Sequence, residues 1–133
     1  MRRRHNDTGA ALVEAAFIIP FLLLLVLGTV DIARAFYDSA KVQEAAQEGA
    51  VYAALNPGSP ANAVARAEET IQNPDFTGSI TVTCPATDQV TVTVAYTFNL
   101  ITPFVSNLVG GSLDLTHSET AHVLSLSACT AYP

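Results

Sequence analysis

The sequence predicts an α+β protein. A long N-terminal helix, transmembrane and then amphipathic, packs on a small antiparallel β-sheet head. Three observations lead there. An apolar run near the N-terminus carries a single charge, Glu14. A helical charge pattern continues beyond it as far as the stop Asn56-Pro57-Gly58-Ser59-Pro60. The C-terminal half then alternates with period two and is rich in Val and Thr. The chain has 133 residues, enough for one domain. It is 50% hydrophobic and 14% charged, whereas a soluble domain carries about 25% charge, so part of it is expected in lipid. A net charge of −6 argues against nucleic acid as a partner, since phosphate binding needs a basic surface.

The first element is the run from Ala10 to Val30. At about 1.5 Å per residue it is roughly 30 Å long, the thickness of a bilayer's hydrocarbon core. Arg2, Arg3 and Arg4 precede it and are half of the 6 basic residues. Beyond it acids outnumber Arg34, Lys41 and Arg66. The positive-inside rule therefore places the N-terminus in the cytoplasm and the C-terminus outside. A cleaved secretory signal is the alternative. The run is longer than the usual apolar core of such a signal, no small-x-small site precedes a clear mature start, and Glu14 lies inside it. Glu14 is costly in lipid, by about 2.5–3.5 kcal/mol on insertion scales. It either snorkels to the headgroups or has a designated cationic partner. Pro20 removes a helical hydrogen bond and is expected to kink the helix.

The second element continues the same helix to Leu55. Asp31, Arg34, Asp38, Lys41, Glu44 and Glu48 recur at spacings of three and four, so opposite charges can pair along one face. Ile32, Ala35, Phe36, Ser39, Val42, Ala46, Gly49, Ala50 and Ala53 form an apolar, mostly small stripe, suited to close packing against another element. Ser59 can cap a further helix with Pro60 at its first position, and this amphipathic segment runs from Ala61 to Gln72, ending before Pro74.

Strands follow. Ser79 to Cys84 and Gln89 to Phe98 alternate, joined by a turn at Pro85-Ala86-Thr87-Asp88, and Leu113 to about Leu124 supplies a third strand. Ile101 to Gly111 is an apolar loop or short helix. Consecutive strands with short links favour an antiparallel meander, whose apolar face the small-residue stripe can cover. Cys84 and Cys129 are the 2 cysteines, and both fall on the predicted outside, where disulfides persist. A bridge between them would be worth about 4 kcal/mol in the loop-entropy model. Two unpaired buried thiols are the alternative.

Little in the sequence suggests catalysis. His117 and His122 fall on opposite faces of a strand and are not a chelating pair. Glu68 and Glu69 are neighbours on a helix and diverge. Phosphate-loop, zinc-protease and serine-hydrolase motifs do not occur. The sequon Asn6-Asp7-Thr8 falls on the cytoplasmic side. No cofactor, no metal and no enzymatic activity are expected.

Gly9-Ala10-Ala11-Leu12-Val13-Glu14, behind a short basic leader, resembles the cleavage motif of type IV prepilins. The longer pattern is similar to TadE-like proteins, the pseudopilins or minor pilins of tight adherence (Flp) pili. It comprises Val13-Glu14, Ile19-Pro20-Phe21-Leu22-Leu23, Asp31, Arg34-Ala35-Phe36-Tyr37 and Ala45-Ala46-Gln47-Glu48-Gly49-Ala50. The resemblance is strong over residues 9–55 and looser over 90–122, where Leu100-Ile101-Thr102-Pro103-Phe104 and Leu108-Val109-Gly110-Gly111 carry it. It implies a pilin-like fold and a prepilin peptidase that cuts between Gly9 and Ala10. It also implies assembly through Glu14 paired with the α-ammonium of a neighbouring Ala10. Two departures stand out: Ala10 where many type IV pilins begin with a methylated Phe, and Ala15 where small Flp pilins have Tyr.

The expected organisation is a basic leader at 1–9, a transmembrane segment at 10–30, an amphipathic extension at 31–55 and an extracytoplasmic head at 56–133. The expected partners are the cytoplasmic membrane, a prepilin peptidase, other pilin subunits and pilus assembly proteins, in a homo- or hetero-oligomeric filament. A membrane-anchored extracytoplasmic binding module that never enters a filament is the alternative.

Overall fold

The computed structural model describes residues 8–72, 76–102, 106–107, 110–124 and 129. Helix α1 spans Thr8–Leu55 and α2 spans Pro60–Ile71. Strands β1 (Gly78–Ala86), β2 (Gln89–Asn99) and β3 (Ser112–His122) follow. They form one antiparallel sheet in the order β1-β2-β3. This is the predicted α+β arrangement of a long helix on a small meander. The leader arginines Arg2, Arg3 and Arg4, Asn6 and Asp7 of the sequon, Pro74, Pro103 to Val105, and Leu108-Val109 lie outside the described residues.

α1 has 48 residues and runs through Pro20 as one element. It stops where the sequence changes to Asn-Pro-Gly. The Asn56 amide and its side-chain Nδ2 both donate to the Tyr52 carbonyl, at 2.9 and 3.1 Å, which closes the last turn. α2 begins at Pro60 as expected, but Ser59 makes no side-chain cap bond. Its carbonyl instead accepts from the Asn62 and Ala63 amides, both at 3.2 Å. Gln72 ends α2 in the left-handed conformation, φ 50°.

The core lies between the C-terminal half of α1, α2 and one face of the sheet. Val42, Ala45, Ala46, Ala50, Ala53 and Ala54 of α1 meet Ala63, Ala67 and Ile71 of α2 and Val90, Val92 and Val94 of β2. Small residues bring the two helices close. Gly49 shows how close: a Cβ there would stand 3.2 Å from both Ala67 Cβ and Val92 Cγ1. The upper part of the predicted stripe is therefore buried. Its lower part is not. Ile32 and Phe36 are 58% and 74% exposed, because the sheet lies to one side of α1 at that level and leaves an open groove between Ile32, Ala35, Phe36, Leu113 and Leu115.

The β1–β2 turn is tighter than the sequence suggests. Pro85 and Ala86 belong to β1, and only Thr87 and Asp88 form the turn. The register shifts between Thr83 and Ala86, a bulge where Pro85, which has no N–H, costs no ladder bond. The outer face of the sheet is hydroxyl-rich. Thr91 pairs with Thr120 and Thr93 with Ser118, each at 2.8 Å, and Thr97 donates to Asp114 at 2.9 Å. Gly111 (φ 85°) and Gly110 (φ 95°) supply the left-handed backbone that turns the chain into β3. Before them, the Ser106 and Gly110 amides donate to the Thr102 and Ser106 carbonyls, and Ser106 and Asn107 are helical, in keeping with the short helix that was one of the two expectations for this segment.

Candidate functional site

Among the described residues the N-terminal half of α1 packs against no other element. Leu12, Phe17 and Phe21 are 72%, 71% and 74% exposed. The helix is long and apolar enough to cross a membrane, and its apolar window is 0% buried, which separates it from the core helix of a soluble fold. Thr29 near its upper end suits lipid. The Thr29 hydroxyl is held within the helix by the Leu25 and Val26 carbonyls, at 2.9 and 2.7 Å. Gly9 and Ala10 occupy the first turn of α1 and are exposed. A Cβ at Gly9 would meet nothing within 4 Å. Glu14 is exposed one turn after Ala10, and among the described residues no ion pair or hydrogen bond reaches it. Pro20 is exposed on the same half.

Above this segment the head is latched to α1 at two levels. At the lower level Asp31, 3% exposed, accepts hydrogen bonds from the Ile101 amide (3.2 Å) and the Thr102 amide (2.9 Å). Arg34 stands 3.6 Å from it. The Thr102 hydroxyl beside the carboxylate, then the Thr102 and Ile101 amides and the Arg34 charge, hold the Asp31 carboxyl below its usual value against the opposing effect of burial. That hydroxyl approaches the carboxylate without completing a well-directed bond. At the upper level the Leu124 amide donates to the Ala54 carbonyl at 3.1 Å, and the Val123 amide to Asp88 at 2.9 Å. The Cys84–Cys129 disulfide, formed as expected, ties the end of β1 to the chain beyond β3, and the Cys129 amide donates to Thr87.

The two latches match in length. From Asp31 to Ala54 α1 rises about 34 Å, and β2 from Gln89 to Asn99 also extends about 34 Å. The sheet thus stands alongside the upper half of α1, with its lower end where the apolar run ends. Sequence reading placed Asp31 in a charge stripe whose opposite members can pair, and Arg34 stands beside it. The structure adds that Asp31 also turns inward to the β2–β3 connection. Of the other stripe members, Lys41 pairs with Glu44 at 3.5 Å and Glu48 with Arg66 of α2 at 3.8 Å. One signal in the sequence marks Asp31, its place as the first charge after the apolar run. Its partners are two backbone amides, which no residue type reveals.

His117 lies on the half-buried face of β3 and His122 on the exposed face. Among the described residues no group of three or more His, Cys, Asp or Glu could hold a metal ion.

Residues 9–51 match the family model described as TadE-like protein. The long helix is TadE-like. The match begins at Gly9 and ends inside α1, so it spans the exposed apolar half, Glu14, Pro20, Asp31 and all of the small-residue stripe except Ala53. The head beyond the TadE-like segment is outside the match. No curated protein and no solved structure matches the chain.

Proposed function

We propose that this chain is a structural, pilin-like subunit, a minor pilin or pseudopilin of a tight adherence pilus, with no catalytic role of its own. The observation that carries this reading is the divided α1: a TadE-like helix whose upper half holds the head and whose lower half, bearing Glu14, is exposed and packs on no other element among the described residues. Such a segment anchors the subunit in the cytoplasmic membrane, N-terminus inside, and can later pack among the helices of other subunits. The groove of Ile32, Ala35, Phe36, Leu113 and Leu115 extends that apolar surface up to the head and offers a neighbouring helix a further contact. In this reading a prepilin peptidase removes residues 1–9. The new ammonium of Ala10 then gives Glu14 of an adjacent subunit a cationic partner.

The test is the intact mass and N-terminal sequence of the protein recovered from its native host. A mature chain beginning at Ala10, and a Gly9→Val variant that stays full length, support processing. Recovery of chains beginning only at Met1, with the host's peptidase present, overturns it and leaves a membrane-anchored binding module.

A further inference from the structure

Beside the lower latch, on the side of α1 away from the apolar groove, lies a cleft of about 480 Å³ between α1 and β2, lined by Val30, Ala33, Arg34, Tyr37, Asp38 and Tyr96. We propose that it binds the headgroup of a zwitterionic amino-phospholipid, with phosphate at Arg34 and ammonium at Asp38. This rests on the reading that α1 crosses the bilayer.

Height along the helix is the first argument. The apolar run ends at Val30. The headgroup layer adds about 5–7 Å on each side of the hydrocarbon, or about four residues of helix, so Arg34 stands at its outer edge and Tyr37 and Asp38 about one turn further out, on the water side, the direction in which the amine of a headgroup held at Arg34 by its phosphate would point. The second argument is the state of the two charges. Arg34 is fixed in place: its guanidinium lies 5.2 Å from the centre of the Phe98 ring and 3.6 Å from Asp31. Yet its Nη1 is buried without a hydrogen bond, and no hydrogen bond from its other donors is seen among the described residues. Asp31 cannot serve it fully, because that carboxylate is occupied by the Ile101 and Thr102 amides. Asp38, one turn higher, has no ion pair among the described residues, since Lys41 turns to Glu44. One cation with donors to spare and one carboxylate without a counter-charge, a turn apart, complement the phosphate and ammonium of one zwitterion.

The wall fits the same ligand. Tyr96 stacks on Phe76 with ring centres 5.6 Å apart, and Tyr37 faces the same cleft. Aromatic faces attract an ammonium, and tyrosines are favoured at the membrane interface. An anionic headgroup without an amine would satisfy Arg34 but be repelled by Asp38. The cleft therefore selects for the amine.

The experiment uses the full-length protein in nanodiscs of equal parts phosphatidylethanolamine and phosphatidylglycerol, followed by gentle detergent release and mass spectrometry of the retained lipid. The retained lipid should hold about three phosphatidylethanolamine molecules for each phosphatidylglycerol, the effect of one partly exposed charge pair. Arg34→Gln should abolish the enrichment. Asp38→Asn, which leaves the Asp31 latch untouched, should retain lipid but lose the preference for the amine. Retained lipid matching the disc composition, or a preference unchanged in Asp38→Asn, overturns the proposal. Alkaline extraction of the same membranes is read in parallel. A chain that remains in the pellet but shows no lipid preference refutes the headgroup site alone, whereas a chain that is extracted refutes the membrane reading and this site with it.

Discussion

Replacing Gly49 tests whether the head depends on close approach of three elements. A Cβ at this position would lie 3.2 Å from Ala67 Cβ, 3.2 Å from Val92 Cγ1 and 3.4 Å from the Ala63 carbonyl oxygen. Ala63, Ala67 and Val92 are each 0% exposed, so none can swing outward. Gly49→Ala gains about 1 kcal/mol of helix propensity, and the tight contacts offset most of it, leaving stability nearly unchanged. Gly49→Leu adds a branched side chain to the same point. Overpacking of this kind costs about 1–3 kcal/mol, and relief requires α2 to move off α1, exposing part of the core. A net loss of about 2 kcal/mol lowers the midpoint of a small domain by roughly 8–16 °C. The assay is calorimetric melting of the full chain in detergent, with near-ultraviolet circular dichroism of the tyrosines as a second probe. Gly28→Leu is the control, since a Cβ there meets nothing within 4 Å; its midpoint should not fall. A Gly49→Leu midpoint within about 2 °C of wild type, or an equal fall in Gly28→Leu, would refute the three-way packing.

Asp31→Asn should speed hydrogen exchange at the Ile101 and Thr102 amides while leaving the Val92 amide protected; unchanged exchange at both would dismiss the latch. The Asp31 carboxyl is lowered from 3.8 in the fold, so its contribution is present above about pH 3.8 and disappears as the pH falls through the lower folded value; Asp31→Asn should remove that part of the acid sensitivity, seen as exchange at Thr102 across a pH series. Cys84→Ser opens a bridge of sequence separation 45 and should cost about 2–4 kcal/mol, read as a lower urea midpoint, and an unaltered midpoint in oxidised protein would show that the hydrogen bonds at Thr87 and Ala54 suffice. Glu14→Leu should enter the membrane at least as well as wild type, because a charge costly in lipid is removed. It should fail to co-purify with the pilus apparatus, since an uncompensated ammonium costs about 3–5 kcal/mol, while Glu14→Gln falls between. Normal co-assembly of Glu14→Leu would make the carboxylate an interfacial residue only.

The elements were legible in the sequence because each rests on local physics. A charge-poor run of bilayer length, Asn-Pro-Gly at Asn56, Pro60 at a helix start and the Thr-Val alternation of β1 and β2 depend on neighbours within a few residues. The meander followed from short links, and the Cys84–Cys129 bridge from composition and compartment. Gly9, Ala10 and Glu14 were singled out by motif, and the structure adds that all three are exposed and that no ion pair reaches Glu14 among the described residues. What only the tertiary structure decided involves partners distant in sequence. Asp31 looks like any helix charge until the β2–β3 connection presents two amides to it from about 70 residues away. The small-residue stripe is uniform in sequence, yet Ala46, Ala50 and Ala53 are buried whereas Ile32 and Phe36 are bare, because the sheet's offset from α1, not the helical period, determines which turns are covered. Arg34 and Asp38 likewise line one cleft only because the sheet sets Tyr96 beside them. Periodicity states which face of α1 is apolar. Only the placement of the head states how far along that face the chain supplies its own cover, and so how much is left for lipid or for another subunit.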